Sequence, residues 1–102
     1  MQNISSKEAH ERIREFAIID ARTPEEYKGG HIEGAVNIDV SVPSFAGEIA
    51  KLNKSKKYLV YCNMGNRSFF ASNMMHNAGF NEVFNLQGGI FEWKQNNLPV
   101  EN

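Results

Sequence analysis

Cysteine is nearly absent from this sequence: among 102 residues, Cys62 is the only one. A lone thiol forms no internal disulfide and no thiolate cage for a metal. The three histidines, His10, His31 and His76, share no ligand spacing with one another or with Cys62, so no metal site is expected. Charge of either sign is not in excess. Eleven basic and twelve acidic residues leave a formal net charge of −1, which offers no electrostatic footprint for nucleic acid or an anionic membrane. Long apolar runs are missing too. Stretches such as Phe16–Ile19 and Tyr58–Cys62 are far too short to span a bilayer, and the polar segment MQNISSKEAHERIREF has no apolar core of a secretory leader. These absences make a soluble cytoplasmic protein the expectation. The length, with 41 % hydrophobic and 23 % charged residues, suggests one globular domain over residues 1–102.

What is present alternates between helical and strand patterns, without repeats or linkers. Ser5-Ser6-Lys7-Glu8 fits a capping box opening a helix to about Glu15, with Ala9 and Ile13 on one face. Phe16–Ile19 has the continuous apolar character of a strand covered on both faces. Thr23-Pro24-Glu25-Glu26 is a second capping box with proline at the first helical position, and Gly29-Gly30 stops that helix. Ala35–Ile38 suits a strand and Ser44–Leu52 a helix. Lys57–Cys62, with its Tyr-Leu-Val-Tyr core, is the strongest strand. Asn66–Ala78 reads as a helix with Phe70, Met74 and Ala78 on its apolar stripe beside Ala71 and Met75, capped by Gly79. Glu82–Leu86 is a last strand, and Gly88-Gly89 leads into a helix through Trp93. Such an order argues for an α/β fold with a mainly parallel sheet, in which ligands bind beyond the carboxyl ends of strands.

Cys62 stands at such an end. Gly65 allows the following loop a positive φ, and a helix begins at Asn66. Backbone N–H groups turned into the loop, with the positive end of the helix, would make an anion site that stabilises a thiolate at its floor. Arg67 sharpens this reading. Two other helices open on acids, Glu8 and the Glu25-Glu26 pair, whereas the first turn after Cys62 holds none and adds a cation that the helix dipole opposes. An anion in the loop, whether thiolate or substrate, would resolve the conflict; the alternative is an Arg67 that points into water.

Three segments resemble the rhodanese (sulfurtransferase) family: IIDARTPEEYKGGHIEGAVNI at residues 18–38, Cys62-Asn63-Met64-Gly65-Asn66-Arg67-Ser68, which is similar to the active loop C-x-x-G-x-R-S, and NLQGGIFEW at residues 85–93. The resemblance covers nearly the whole chain. It implies a rhodanese-like five-stranded sheet with helices on both faces, and a Cys62 that accepts a sulfur as a persulfide and passes it on. It also implies that Asn63, Met64, Gly65, Asn66 and Arg67 form the substrate cradle, that no cofactor is needed, and that Asp20, Arg22, Glu26 and His31 are structural. The implied partners are a small sulfur donor, thiosulfate or a thiol persulfide, and an acceptor: cyanide, a thiol, or a thioredoxin-like or other sulfur-accepting protein. Family members that handle thiosulfate well tend to carry further basic residues in the loop. Asn63 and Met64 stand there instead, which disfavours thiosulfate as the physiological donor.

Two rival readings compete. A related cysteine-loop phosphatase or arsenate reductase would read C-x5-R; this loop reads C-x4-R, a smaller cradle better suited to a sulfur atom than to a tetrahedral oxyanion. A non-catalytic binding module would have less need of an intact cysteine loop, whereas a module that delivers sulfur to one protein partner would keep it.

Overall fold

The structure is a computed structural model that describes residues 1–102. In chain order the elements are β1 (Gln2–Ile4), α1 (Ser6–Glu11), β2 (Ala17–Asp20), α2 (Pro24–Lys28), β3 (Val36–Asn37), α3 (Phe45–Ile49), β4 (Lys57–Tyr61), α4 (Asn66–Asn77), β5 (Glu82–Leu86) and α5 (Gly89–Gln95). The five strands form one wholly parallel sheet in the order β1-β5-β4-β2-β3. No helix is long and apolar enough to cross a membrane.

Alternation along the strands sends side chains to two cores. Leu59 and Tyr61 of β4 face one side, where Ala9 of α1 and Ile90 and Trp93 of α5 pack. Tyr58 and Val60 face the other, against Phe45 and Ile49 of α3 and Ala71 and Met75 of α4. The central strands therefore read as continuous apolar runs because both faces are covered.

β2 leads outward to β3, while β4 leads in the opposite direction to β5. The carboxyl ends of β2 and β4 thus flank the point where the winding direction changes, the usual crevice for ligands in such sheets. The end of β2 is braced there. Arg22 and Asp20 form a buried ion pair at 2.7 Å, Tyr61 donates its hydroxyl to Asp20 at 2.7 Å, and Arg22 donates to the Gly30 carbonyl at 2.7 Å. Burial, reinforced by the Asp20 charge, pushes the Tyr61 phenol far above its ordinary value, so it acts as a fixed donor.

Several elements differ from the sequence-based expectation. β1 carries no usable pattern: of its three residues only Ile4 is buried, and the strand exists because it pairs with β5, Asn3 opposite Asn85. α1 stops at Glu11, and a short 3-10 turn over Ile13–Glu15 completes the segment. Its Ser5 cap accepts from the Glu8 N–H at 3.2 Å, but the Glu8 carboxylate binds Arg12 at 3.1 Å instead of closing the box. The capping box of α2 is complete. On α4, Phe70 is 61 % exposed; the buried stripe is Ser68, Ala71, Ser72 and Met75. Ala71 and Met75 are buried as expected, but Ser68 and Ser72 complete the stripe in place of Phe70 and Ala78, and Ser68 lies against the thiol.

Candidate active site

Cys62 immediately follows β4 and is 2 % exposed. Its Sγ accepts the backbone N–H of Gly65 at 3.1 Å and that of Ser68 at 3.3 Å, and lies 3.3 Å from the Ser68 hydroxyl. Gly65, at φ +108°, is the residue that caps α4, and as a glycine it has no side chain to receive the orphan N–H groups of the first turn. The Ser68 N–H, third in the helix, would ordinarily go to a capping side chain; here it goes to the Cys62 sulfur. Burial pushes the thiol up. Hydrogen bonds from the Ser68 hydroxyl and N–H and from the Gly65 and Met64 N–H groups outweigh it, so Cys62 lies below the ordinary thiol value.

The loop's carbonyls are held from the other side. Ile90 and Phe91, at the start of α5, donate their N–H groups to the Cys62 and Asn63 carbonyls, each at 3.0 Å. That close approach requires Gly89. A Cβ there would lie 2.5 Å from the Cys62 carbonyl oxygen and closer still to that of Asn63. With its carbonyls turned outward to α5, the loop presents N–H groups to the sulfur.

Arg67 does not wait for an anion in the loop. Its guanidinium makes a bidentate pair with Glu26, at 2.8 and 3.0 Å, across the crevice between α4 and α2. The dipole conflict expected at this helix end is therefore met by a protein carboxylate. Arg67 holds the Glu26 carboxyl down to about 2, from an ordinary 4.5, aided by the Thr23 backbone N–H. Arg67 itself is raised, by Glu26 first and also by the charge of Cys62 nearby.

Of the predicted cradle, Gly65 directs its N–H at the sulfur, and Asn63 gives its carbonyl to α5. Met64, Asn63 and Asn66 carry exposed side chains at the rim. Beside the loop lies a cavity of about 260 Å³ without a charged side chain, walled by Met64, Asn66 and Phe69 on one side and Asn3, Asn85 and Gln87 on the other. Phe69, Phe70 and Phe91 are also exposed.

Ser68, Glu26, Asn85 and Gly89 were missed as site residues. All four stand inside the quoted segments, so a signal was present for each. Glu26 reads as structural, by resemblance and as a cap, because nothing local announces a partner 41 residues away. The structural readings hold elsewhere. Asp20 and Arg22 pair, and the His31 Nδ1 meets the Tyr27 carbonyl at 2.9 Å with its ring stacked on Tyr27. Trp93 is core, its Nε1 donating to Pro99 at 2.9 Å.

Residues 5–96 match the model of the Rhodanese-like domain family. Rhodanese-like domain-containing protein 15, chloroplastic, of Arabidopsis thaliana is 32 % identical over 96 residues, covering 84 % of this chain and 53 % of the plant protein. A probable adenylyltransferase/sulfurtransferase, MoeZ, of Mycobacterium tuberculosis is 37 % identical over 86 residues, covering 84 % of this chain and 22 % of that protein. The chain thus spans about half or less of the length of these relatives. A crystal structure of a rhodanese-related protein from Thermoplasma volcanium superposes with a TM-score of 0.91 at 32 % identity, covering 99 % of this chain and 98 % of the other.

Proposed function

Since the chain belongs to the rhodanese-like domain family, we propose that it is a sulfurtransferase working through a persulfide on Cys62. The observation that carries the reading is the single buried sulfur held by backbone N–H groups of its own loop and by Ser68, below the ordinary thiol value. The Cys62 thiolate attacks the outer sulfur of a donor; the donor's S–S bond breaks and its thiolate, or sulfite from thiosulfate, leaves with the bonding pair. The outer sulfur of the enzyme persulfide is then attacked by cyanide, a thiol or an acceptor protein, and the Cys62 thiolate leaves. The loop's N–H groups stabilise the anionic forms throughout. No general base is needed where the thiolate is already formed.

The donor class follows from charge. Arg67 is neutralised by Glu26, and Asn63 and Met64 bring no charge. A thiol persulfide therefore suits the mouth better than the thiosulfate dianion. The exposed Met64, Phe70 and Phe91 favour a protein as the acceptor.

The test is intact mass after incubation with thiosulfate and, separately, with a thiol persulfide. The expected result is addition of one sulfur, abolished in Cys62→Ser. Cys62-dependent hydrolysis of para-nitrophenyl phosphate, with no persulfide from any donor, would refute the proposal in favour of a phosphatase.

A further inference from the structure

Behind the sulfur lies a chain of buried polar groups that sulfur transfer does not by itself require. The Ser68 hydroxyl is 2.5 Å from Asn85 Oδ1, and Asn85 Nδ2 donates to Asn3 Oδ1 at 3.0 Å. Ser68 is fully buried and Asn85 is 4 % exposed, while Asn3 lies exposed on the edge strand. A hydroxyl carries one hydrogen. That of Ser68 has three acceptors in reach: Asn85 Oδ1, Cys62 Sγ at 3.3 Å and the Gly65 carbonyl at 3.3 Å.

While Cys62 is a thiol, the short distance gives the hydrogen to Asn85; the Ser68 donation that lowers Cys62 belongs to the thiolate. The Ser68 oxygen then turns a lone pair toward the sulfur, which suits a thiol whose S–H donates to it. The same arrangement opposes an anionic sulfur, which needs the hydrogen itself. We propose that Asn85 is a positioning residue for Cys62, its carboxamide turning from acceptor to donor through the Ser68 hydroxyl as the sulfur passes from thiol to anion. In the anionic state Ser68 donates to Sγ, Asn85 Nδ2 donates to Ser68 Oγ, and Asn85 Oδ1 faces Asn3. Asn3, in contact with water, turns its own amide to match. The buried groups stay hydrogen-bonded in both states, which an aspartate or a leucine at position 85 would not permit.

No proton travels along this chain. The thiol proton leaves to water, and the hydrogens of the chain are only re-aimed. Asn3 and Asn85 both line the cavity beside the loop, which holds no charged side chain and gives the amides room to turn. The charges around the sulfur come from elsewhere: Arg67 paired with Glu26, Asp39 acting on Arg67, and the Asp20–Arg22 pair at the end of β2. The inference rests on the reading of Cys62 as a working anion.

The experiment is the pH dependence of iodoacetamide alkylation in the wild type, Asn85→Leu, Ser68→Ala and the double variant. Asn85→Leu is expected to raise the Cys62 midpoint by about half to one pH unit through loss of the cooperative donor. On the Ser68→Ala background it should add nothing. No shift, or an equal shift on both backgrounds, overturns the inference. A second measurement does not depend on Asn85→Leu folding. The Asn85 side-chain amide resonances, followed by NMR through the titration, should move with the Cys62 midpoint in the wild type and in Ser68→Thr. In Ser68→Ala the movement should fall several-fold; undiminished movement overturns the proposal. Neither readout involves sulfur transfer, so its failure leaves the persulfide reading to stand or fall on intact mass.

Discussion

Gly89→Ala separates backbone strain from the integrity of the sulfur loop. Gly89 has φ +59°, a left-handed conformation that costs an alanine about 1–2 kcal/mol. Gly34 has φ +84° and carries a comparable penalty, but nothing lies within 4 Å of where its Cβ would be. At Gly89 the new Cβ would sit 2.5 Å from the Cys62 carbonyl oxygen, where ordinary contact begins at 3.4 Å; the difference is 0.9 Å, so this backbone must move by nearly that much. Such a move breaks or stretches the two 3.0 Å bonds from Ile90 and Phe91, worth about 0.5–1.5 kcal/mol each. Gly89→Ala should therefore cost about 2–5 kcal/mol in urea denaturation, against about 1–2 for Gly34→Ala. Misplacement of a reacting group by about 1 Å can cost on the order of 100-fold in rate. Persulfide formation, followed by mass, should fall by about that factor in Gly89→Ala and stay unchanged in Gly34→Ala, with the Cys62 alkylation midpoint rising only in the former. If the two variants match in stability, rate and midpoint, the contact with α5 does not set the loop.

Ser68→Ala removes a donor to an anionic sulfur, worth about 1.5 kcal/mol at the low end, and should raise the alkylation midpoint by about one pH unit. Glu26 is held at about 2 against 4.5, so its pairing contributes stability above 4.5 that is lost as pH falls toward 2. With both side chains about a third exposed, at 36 % and 35 %, screening limits this to about 1 kcal/mol, and Glu26→Gln should flatten the dependence of urea midpoints over that window. The same variant frees Arg67 and should favour thiosulfate several-fold over an uncharged persulfide donor; equal changes for both would show that Arg67 does not face the donor. Phe70→Ser should alter stability by no more than about 0.5 kcal/mol, whereas Met75→Ala should cost about 2–5 kcal/mol, which thermal melts distinguish.

The legible parts of this fold were those whose signals are local. The Thr23–Glu26 box, the Tyr-Leu-Val-Tyr strand and the glycine after the thiol each act within one turn or one loop. β1 was illegible because Gln-Asn-Ile becomes a strand only by lying beside β5. On α4 hydrophobicity picks out Ala71 and Met75, which are buried, but also Phe70, which is not, and it passes over Ser68 and Ser72, which are inside. Arg67 was recognised as a cation in the wrong field, but its answer came from Glu26 on another helix. The thiol stands out in the sequence as its only cysteine; the groups that tune it, Ser68 and Asn85, look like ordinary polar residues until the sheet places them.

The sulfur is also the acceptor that closes the first turn of α4, since Gly65 has no side chain to do so. This constrains what inheritance can do with position 62. A lineage that abandoned the chemistry would still have to satisfy the buried N–H of Ser68 and the half-buried N–H of Gly65. Alanine would leave them orphaned, so the loop tolerates loss of reactivity only by way of another short acceptor such as serine or aspartate. A descendant that reads as inert should therefore still show an oxygen where this chain has its thiol, or a loop rebuilt on both sides of it.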